Sequence, residues 1–292
     1  MGFQFNQVAI IGVGLMGGSL GLALRERGIA KSVIGLGRNP TRLAHAKKKG
    51  AIDQGTTDWK SGVSQADLVV ICTPVGKILP ILKELMSYFP DGCLITDVGS
   101  TKKTIVEGAE KILRQRKNKV FFVGSHPMAG SEQYGIEAAK KDLYNGSLCL
   151  VTPDKKSNRK AVSRIEKLWE SIGCRVLEIS PDSHDQSVAA ISHFPHIVAA
   201  SLVNTIAGLD KKNGKLEKLS AGGFRDTTRI ASSLPEIWTD ICMDNKESIL
   251  KAIGSFEKEL NEFKTFIQKK NSKEIYKKFH SAKKFRDKIY PI

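Results

Sequence analysis

The chain has 292 residues, of which 41% are hydrophobic and 26% charged, and its formal net charge is +16. That length suggests roughly two domains with ample material for a core, and the balance is that of a globular chain rather than a disordered one. The basic excess runs through both halves, with lysines such as Lys47-Lys48-Lys49 and Lys277-Lys278 at helix-surface spacings. No zinc-finger, homeodomain or RNP-type motif accompanies it, so a solvated lysine-rich surface is expected and no nucleic-acid partner.

Residues 8–11 read as a buried strand and 15–26 as a helix, with Gly12-Val13-Gly14-Leu15-Met16-Gly17 between them. In that setting a G-x-G-x-x-G turn marks a dinucleotide site. Gly12 permits the tight turn, Gly14 lets backbone approach a pyrophosphate, and Gly17 lets the helix lie close on the strand. The first helical amides, at Leu15 and Met16, then point at the anion. Gly12, Gly14, Leu15, Met16 and Gly17 are therefore candidate cofactor ligands; the plain alternative is an ordinary strand–turn–helix.

A second strand at 32–36 runs into Gly37-Arg38-Asn39, about where an Asp or Glu would bond the ribose hydroxyls of NAD. The missing carboxylate removes repulsion of a 2′-phosphate, and Arg38 is placed to pair with one, which leans toward NADP or dual use. Arg38 turned to solvent or stacked on the adenine is the alternative. Further strands at 68–72, 93–96 and 120–123 alternate with helices at 41–49, 78–88 and 102–117. The pattern is α/β, a doubly wound parallel sheet of the Rossmann type with right-handed crossovers. Strands at 147–151 and 175–178, flanking a helix near 157–171, are expected to extend that sheet.

The strand ends carry three polar islands: Cys72-Thr73-Pro74-Val75, Asp97-Val98-Gly99-Ser100-Thr101-Lys102, and Gly124-Ser125-His126-Pro127-Met128-Ala129-Gly130-Ser131-Glu132. Such sheets bind ligands beyond the carboxyl ends of their strands. Thr73 and Pro74 would face the cofactor, and Lys102 and Lys103 read as surface residues beside it. The five cysteines are widely spaced, without metal-ligand or disulfide spacing, and no metal is expected. Cys72 and Cys149 read as buried thiols.

Past residue 180 the strand signal stops. Ser180-Pro181-Asp182 is a helix start, with Ser as N-cap and Pro at the first helical position. The helix that follows is expected to kink at Pro195. Ile249, Ile253, Phe256, Leu260, Phe263 and Ile267 then repeat at steps of four and three, the seam of a helix packed along another helix. A further helix, capped by Ser272, carries Ile275, Phe279, Ala282, Phe285 and Ile289. The expected division is a dinucleotide-binding domain over 1–180 and an all-helical substrate and dimerisation domain over 181–292. The seams suggest a homodimer through the helical domain, the alternative being burial within one chain. No run is expected to span a membrane and no basic n-region opens the chain, so the protein reads as cytoplasmic.

The helical part adds two islands, Ser192-His193-Phe194-Pro195-His196 and Gly222-Gly223-Phe224-Arg225-Asp226-Thr227-Thr228-Arg229. His193 and His196 flank the expected kink and suit equally the satisfaction of freed carbonyls. Arg225 and Asp226 suit a structural ion pair. With these segments assembled, the chain resembles the prephenate and arogenate dehydrogenases, oxidoreductases of tyrosine biosynthesis, over nearly its whole length. The Gly-Ser-His-Pro-Met-Ala-Gly-Ser-Glu and Gly-Phe-Arg-Asp-Thr-Thr-Arg segments carry that resemblance; the glycine turn alone does not.

The resemblance implies NAD or NADP as cofactor and a small-molecule substrate, prephenate, with arogenate as the alternative. It implies that His126 is catalytic, that Ser100 bonds near the reacting hydroxyl and that Arg229 anchors a substrate carboxylate. It further places His193 and Trp238 at the substrate pocket, with Ser131 and Glu132 beside them. Glu132 fits two roles, receiving the ammonium of arogenate or serving as a gate or helix-start residue. The chemistry suits these residue types. A neutral imidazole accepts the hydroxyl proton as hydride leaves, and a planar guanidinium pairs bidentately with a carboxylate. Without the resemblance, His126 reads more readily as a loop histidine bonded to backbone than as a catalytic one. With Ile292 shortly after the helical segments, neither the regulatory domain of some relatives nor a chorismate-mutase domain before the glycine turn is expected. Two other classes remain: a β-hydroxy acid dehydrogenase with a catalytic lysine on the helical domain, and a non-catalytic NAD(P)-binding sensor.

Overall fold

In β1 (Phe5–Ile11) every residue from Val8 to Ile11 is fully buried, because successive side chains point to opposite faces of a sheet that is covered on both. Val8 and Ile10 join one core with Leu20 and Leu24 of α1 (Leu15–Glu26). Ala9 and Ile11 join another with Ile78 and Leu82 of α4 (Val75–Leu85) and Ile105 of α5 (Lys103–Leu113). The other strands of this sheet are β2 (Ala30–Leu36), β3 (Gln54–Thr56), β4 (Leu68–Ile71), β5 (Leu94–Asp97) and β6 (Phe121–Phe122). All pair in parallel, in the order β3-β2-β1-β4-β5-β6. The order reverses between β1 and β4, where the crevice of a doubly wound sheet opens.

This computed structural model describes residues 4–115, 119–130, 133–210, 216 and 219–291. They form two compact units, Met1–Lys246 and Glu247–Ile292. In the first unit, four helix starts are fixed by short polar side chains, those of Asn39, Asp58, Asn158 and Ser180. Asn39 accepts from the Arg42 amide at 3.1 Å to open α2 (Pro40–Lys48), and Asp58 opens α3 (Trp59–Val63) by accepting from the Lys60 and Ser61 amides. Neither β3 nor α3 is among the elements expected from sequence. Gln54-Gly55-Thr56 has no apolar periodicity, since it is an edge strand held by its ladder to β2.

Two expectations about the sheet are corrected. The strands near 147–151 and 175–178 do not extend it. β8 (Leu148–Thr152) and β9 (Arg175–Glu178) pair with β7 (Gly124–Pro127) in a separate sheet, ordered β7-β8-β9, with β7 antiparallel to β8. His126 therefore lies inside a strand, opposite Leu150, and not on a loop past a strand end. The switch has a local cause. Val123 makes the last ladder bond, donating to Ile95 O at 2.9 Å. At Ser125 the amide turns to the Asp97 carboxylate and the hydroxyl to the Asp97 carbonyl, so a side chain replaces the next rung. Between β8 and β9, α6 (Arg159–Ser171) buries Ala161, Val162, Ile165, Leu168 and Trp169 against the first core.

The helical part of this unit opens as expected, with Ser180 Oγ accepting from the Ser183 amide at 3.2 Å ahead of α7 (Pro181–Val188). The interruption tied to Pro195 takes the form of a π turn, Ala189–His193, in which the Phe194 amide bonds Ala189 O. Proline has no amide to continue the α ladder, and the extra residue is taken up one turn earlier. α8 (Phe194–Asp210) follows, then α9 (Gly222–Thr228), a 3-10 turn over Arg229–Ser232 and α10 (Pro235–Asp244). The continuous helix Pro181–Asp210 is long and apolar enough to cross a membrane by length and composition. Its apolar stretch is broken by Ser, His, Pro, Asn and Thr, and the core helix of a soluble protein meets the same measure.

The second unit is built from α11 (Lys246–Gln268) and α12 (Ser272–Ile289). Asn271, not Ser272, is the N-cap of α12, its side chain accepting from the Glu274 amide at 3.2 Å. The pair is held by Phe263 meeting Phe279 edge-on at 5.4 Å and by Lys278 between Glu259 and Glu262. Much of the expected seam stays uncovered: Leu260, Ile267, Phe279 and Phe285 are each more than half exposed.

Candidate active site

The glycine turn behaves as its spacing requires. Gly12 has φ +94° and a Cβ there would lie 2.7 Å from Cys72 O; at Gly17 it would lie 2.3 Å from Gly12 O. A Cβ on Gly14 would meet nothing within 4 Å. The backbone is thus packed tightly behind and open in front. Gly14 is the N-cap of α1 and supplies no side-chain cap, so its orphan amides, with Leu15 and Met16 at the opening, are available to an anion. Thr73, just past β4, carries a buried hydroxyl without a hydrogen-bond partner, next to Gly12. Pro74 is the exposed N-cap of α4. An open backbone cradle, an uncapped helix start and an unmet hydroxyl fit a dinucleotide. Arg38 is exposed at the end of β2.

At the carboxyl end of β5 and within β7 the polar groups form a buried network. His126 is 8% exposed, and its Nδ1 lies 2.9 Å from His184 Nε2. His184 Nδ1 lies 2.7 Å from Asp185 Oδ1. A carboxylate only accepts, so His184 carries its proton on Nδ1 and accepts at Nε2. His126 must then donate from Nδ1, which leaves its Nε2 as the lone-pair acceptor. Burial first, then the charges of His184, Lys102 and His193, hold His126 well below the ordinary histidine range. The ring is a neutral base.

His184 and Asp185 were not singled out in the sequence. Their signal was local: they follow the Ser180-Pro181 helix start, on its first turns, where a carboxylate suits the helix dipole. Asp185 also bonds the Lys102 and Lys103 amides at 2.8 and 3.0 Å, capping α5 from a distant element. Burial alone would raise its carboxyl, yet the bonds from His184, Lys103 and Lys102 hold it below the usual value. Lys102 is a correction. Read as a surface residue, it is fully buried and ion-paired with Asp97, whereas Lys103 reaches Asp182 at 2.8 Å from an exposed position. Ser100 is half-buried in the loop between β5 and α5.

The histidines of the π turn divide their roles. His193 is 1% exposed; its Nδ1 accepts from Asn245 Nδ2 at 3.3 Å, and the ring also interacts with the Ser100 backbone. Burial lowers it to about 4, with Asp185 opposing. His196 donates from Nδ1 to Ser192 O at 2.9 Å, so it, and not His193, serves a helix carbonyl. Its ring stacks on Trp238 at 3.6 Å, and Trp238 meets His193 edge-on at 6.1 Å. Burial and then the Arg229 charge lower His196, which puts exposed Arg229 beside this cluster. Arg225 and Asp226 touch at 3.3 Å, both highly exposed, a pair of small energetic weight. Ser131 and Glu132 lie outside the described residues.

The strand order, the glycine turn and the histidine network around β7 define the class: an α/β fold of the dinucleotide-binding type with a buried neutral histidine. The family follows from comparison. The family model "Prephenate dehydrogenase, nucleotide-binding domain" matches residues 20–178, and "Prephenate dehydrogenase, dimerization domain" matches 180–281. The chain is 38% identical to prephenate dehydrogenase of Bacillus subtilis (strain 168), over 97% of this chain and 76% of that one. It is similar to the crystal structure of Aquifex aeolicus prephenate dehydrogenase in complex with hydroxyphenyl propionate and NAD+, at 36% identity and TM-score 0.92, covering 99% of this chain and 100% of that one. Synechocystis arogenate dehydrogenase is similar at 29% identity and TM-score 0.82, covering 97% and 99%. The chain belongs to the prephenate dehydrogenase family, a family of NAD(P)-dependent oxidoreductases.

Proposed function

We propose that the protein oxidises prephenate with loss of carbon dioxide, giving 4-hydroxyphenylpyruvate for tyrosine biosynthesis, as a soluble cytoplasmic enzyme. The observation that carries this reading is the His126–His184–Asp185 chain, which leaves one imidazole nitrogen free to accept a proton in a buried setting. Gly12, Gly14, Leu15, Met16, Gly17, Thr73 and Pro74 would hold the dinucleotide, whose nicotinamide would supply the hydride acceptor. His126 Nε2 takes the proton of the ring hydroxyl as the hydrogen on the same carbon departs with its electron pair. Ser100 holds that hydroxyl in line. The ring carboxylate leaves as carbon dioxide and the ring becomes aromatic, so the protein supplies position and charge rather than a strong acid.

Arg229 anchors the substrate carboxylate in this reading, with His193 and Trp238 forming the wall beside it. Arogenate is the second reading, favoured by the similarity to the Synechocystis enzyme. The cofactor is NAD or NADP, with Arg38 disposed toward the latter. The exposed apolar residues of α11 and α12 support a homodimer assembled through the helical segments. The test is stoichiometry: one reduced nicotinamide and one carbon dioxide are expected for each prephenate consumed by the purified protein. Oxidation of β-hydroxy acids in place of prephenate would overturn the reading.

A further inference from the structure

We propose that Asp97, ion-paired with Lys102, is a positioning residue that fixes the Ser100 loop and the His126 strand relative to each other. The inference rests on the reading of His126 as proton acceptor. Asp97 ends β5, and both it and Lys102 are fully buried. Its Oδ2 accepts from the Gly99 amide at 2.8 Å and from Lys102 Nζ. Its Oδ1 accepts from the Ser125 amide at 3.2 Å, and its backbone carbonyl accepts from Ser125 Oγ at 2.6 Å. Thr96 Oγ1 adds a further bond to Ser125 Oγ at 2.7 Å. Gly99 immediately precedes Ser100, and Ser125 immediately precedes His126. One carboxylate therefore grips the backbone just ahead of each functional side chain.

The loop has no slack, since a Cβ on Gly99 would stand 2.8 Å from Asp97 Oδ2. Both carboxylate oxygens must accept for this clamp to hold. A lone buried carboxyl would take up a proton, and its O–H would then face an N–H donor. The Lys102 ammonium supplies the counter-charge that the clamp requires. It also reaches His126 electrostatically, and with burial, His184 and His193 it favours the neutral imidazole. The titratable groups acting on His126 are His184 from α7, Lys102 from the start of α5 and His193 from the π turn, with Cys149 of β8 bonded to its backbone; Asp185 and Asp97 act on His184.

Two variants test this by steady-state kinetics against pH, each with NAD(P) and with whichever of prephenate or arogenate the natural protein uses. Lys102→Met removes the cation, and the acid limb of kcat/KM is expected to move to higher pH. The double variant Asp97→Asn, Lys102→Met leaves no unpaired buried charge, so it carries the test alone if the single variant does not fold. It is expected to show the same shift. Its kcat should fall about tenfold or more, because the substituted amide keeps one accepting oxygen where two were needed, while the KM for cofactor stays within about twofold of the natural value. An unmoved acid limb, an unchanged kcat, or a cofactor KM that rises in step with the loss of kcat would each overturn the proposal. A natural protein inactive on both substrates would instead remove the functional reading beneath it.

Discussion

An imidazole serves as a base only if one nitrogen is kept free of hydrogen, and His126 is held in that state by neighbours far away in the chain. His184 and Asp185 fix the tautomer; burial and the neighbouring Lys102 ammonium keep the ring neutral. His126→Asn should therefore lower kcat by about 10²–10⁴-fold, the usual weight of a general base, with cofactor affinity nearly intact. Near-normal turnover in that variant would contradict the assignment. The same burial makes stability depend on pH. His126, His184, His193 and His196 are all depressed in the folded protein, His193 to about 4. In the unfolded chain they take up protons near about 6.5. As pH falls below about 6.5 the unfolded state binds more protons, so stability is full above that pH and is lost progressively toward about 4. Thermal melts should show a Tm that is flat between about pH 7 and 8 and several degrees lower at about pH 5. An unchanged Tm on acidification would show that these rings are not held neutral. At this scale the sequence displayed His126 and Ser100 through their segments, but not the burial of Lys102. Lysine is almost never fully buried unless paired, and its partner, Asp97, could be recognised as such only once the loop was closed.

Elements with a continuous apolar signal were legible, and elements defined by side-chain contacts were not. β4 and the Val8–Ile11 part of β1 are unbroken apolar runs, and β5 opens on Leu94-Ile95, so with the helices between them the parallel order could be read. β7 could not, because its departure from the first sheet depends on Asp97 taking the place of a ladder rung. The π turn is similar: Pro195 announced an interruption, but not that the helix would widen one turn earlier. The end of β2 carries a prediction of its own. A Cβ on Gly37 would lie 3.3 Å from Leu43 Cδ2, a contact that a small tilt of Leu43 relieves. Gly37→Asp is expected to shift the ratio of kcat/KM values toward NAD by about tenfold or more, since the new carboxylate gains ribose hydrogen bonds and repels a 2′-phosphate. A ratio that stays put, in a variant of natural Tm, would mean that the second strand does not set cofactor choice.

For the whole molecule, the sequence placed a division past residue 180, where strand periodicity gives way to helix, whereas the two compact units divide between Lys246 and Glu247. How the helical part covers its apolar faces was not legible, because the covering surface lies outside the chain on the dimer reading. Leu260, Ile267, Phe279 and Phe285 present apolar area that a lone chain leaves in water, and burying the exposed part of each would contribute about 1–2 kcal/mol. Sedimentation equilibrium at micromolar concentration should give a mass near twice 32.0 kDa; a fully active 32.0 kDa species would contradict assembly through these helices. The reaction itself is tested by kcat/KM of the purified protein for prephenate and arogenate, each with NAD and with NADP. Turnover of prephenate with release of 4-hydroxyphenylpyruvate is expected, with NADP used at least as well as NAD. A preference for NAD of about tenfold would refute the reading of Arg38, and no turnover of either substrate with either cofactor would contradict the proposed activity altogether.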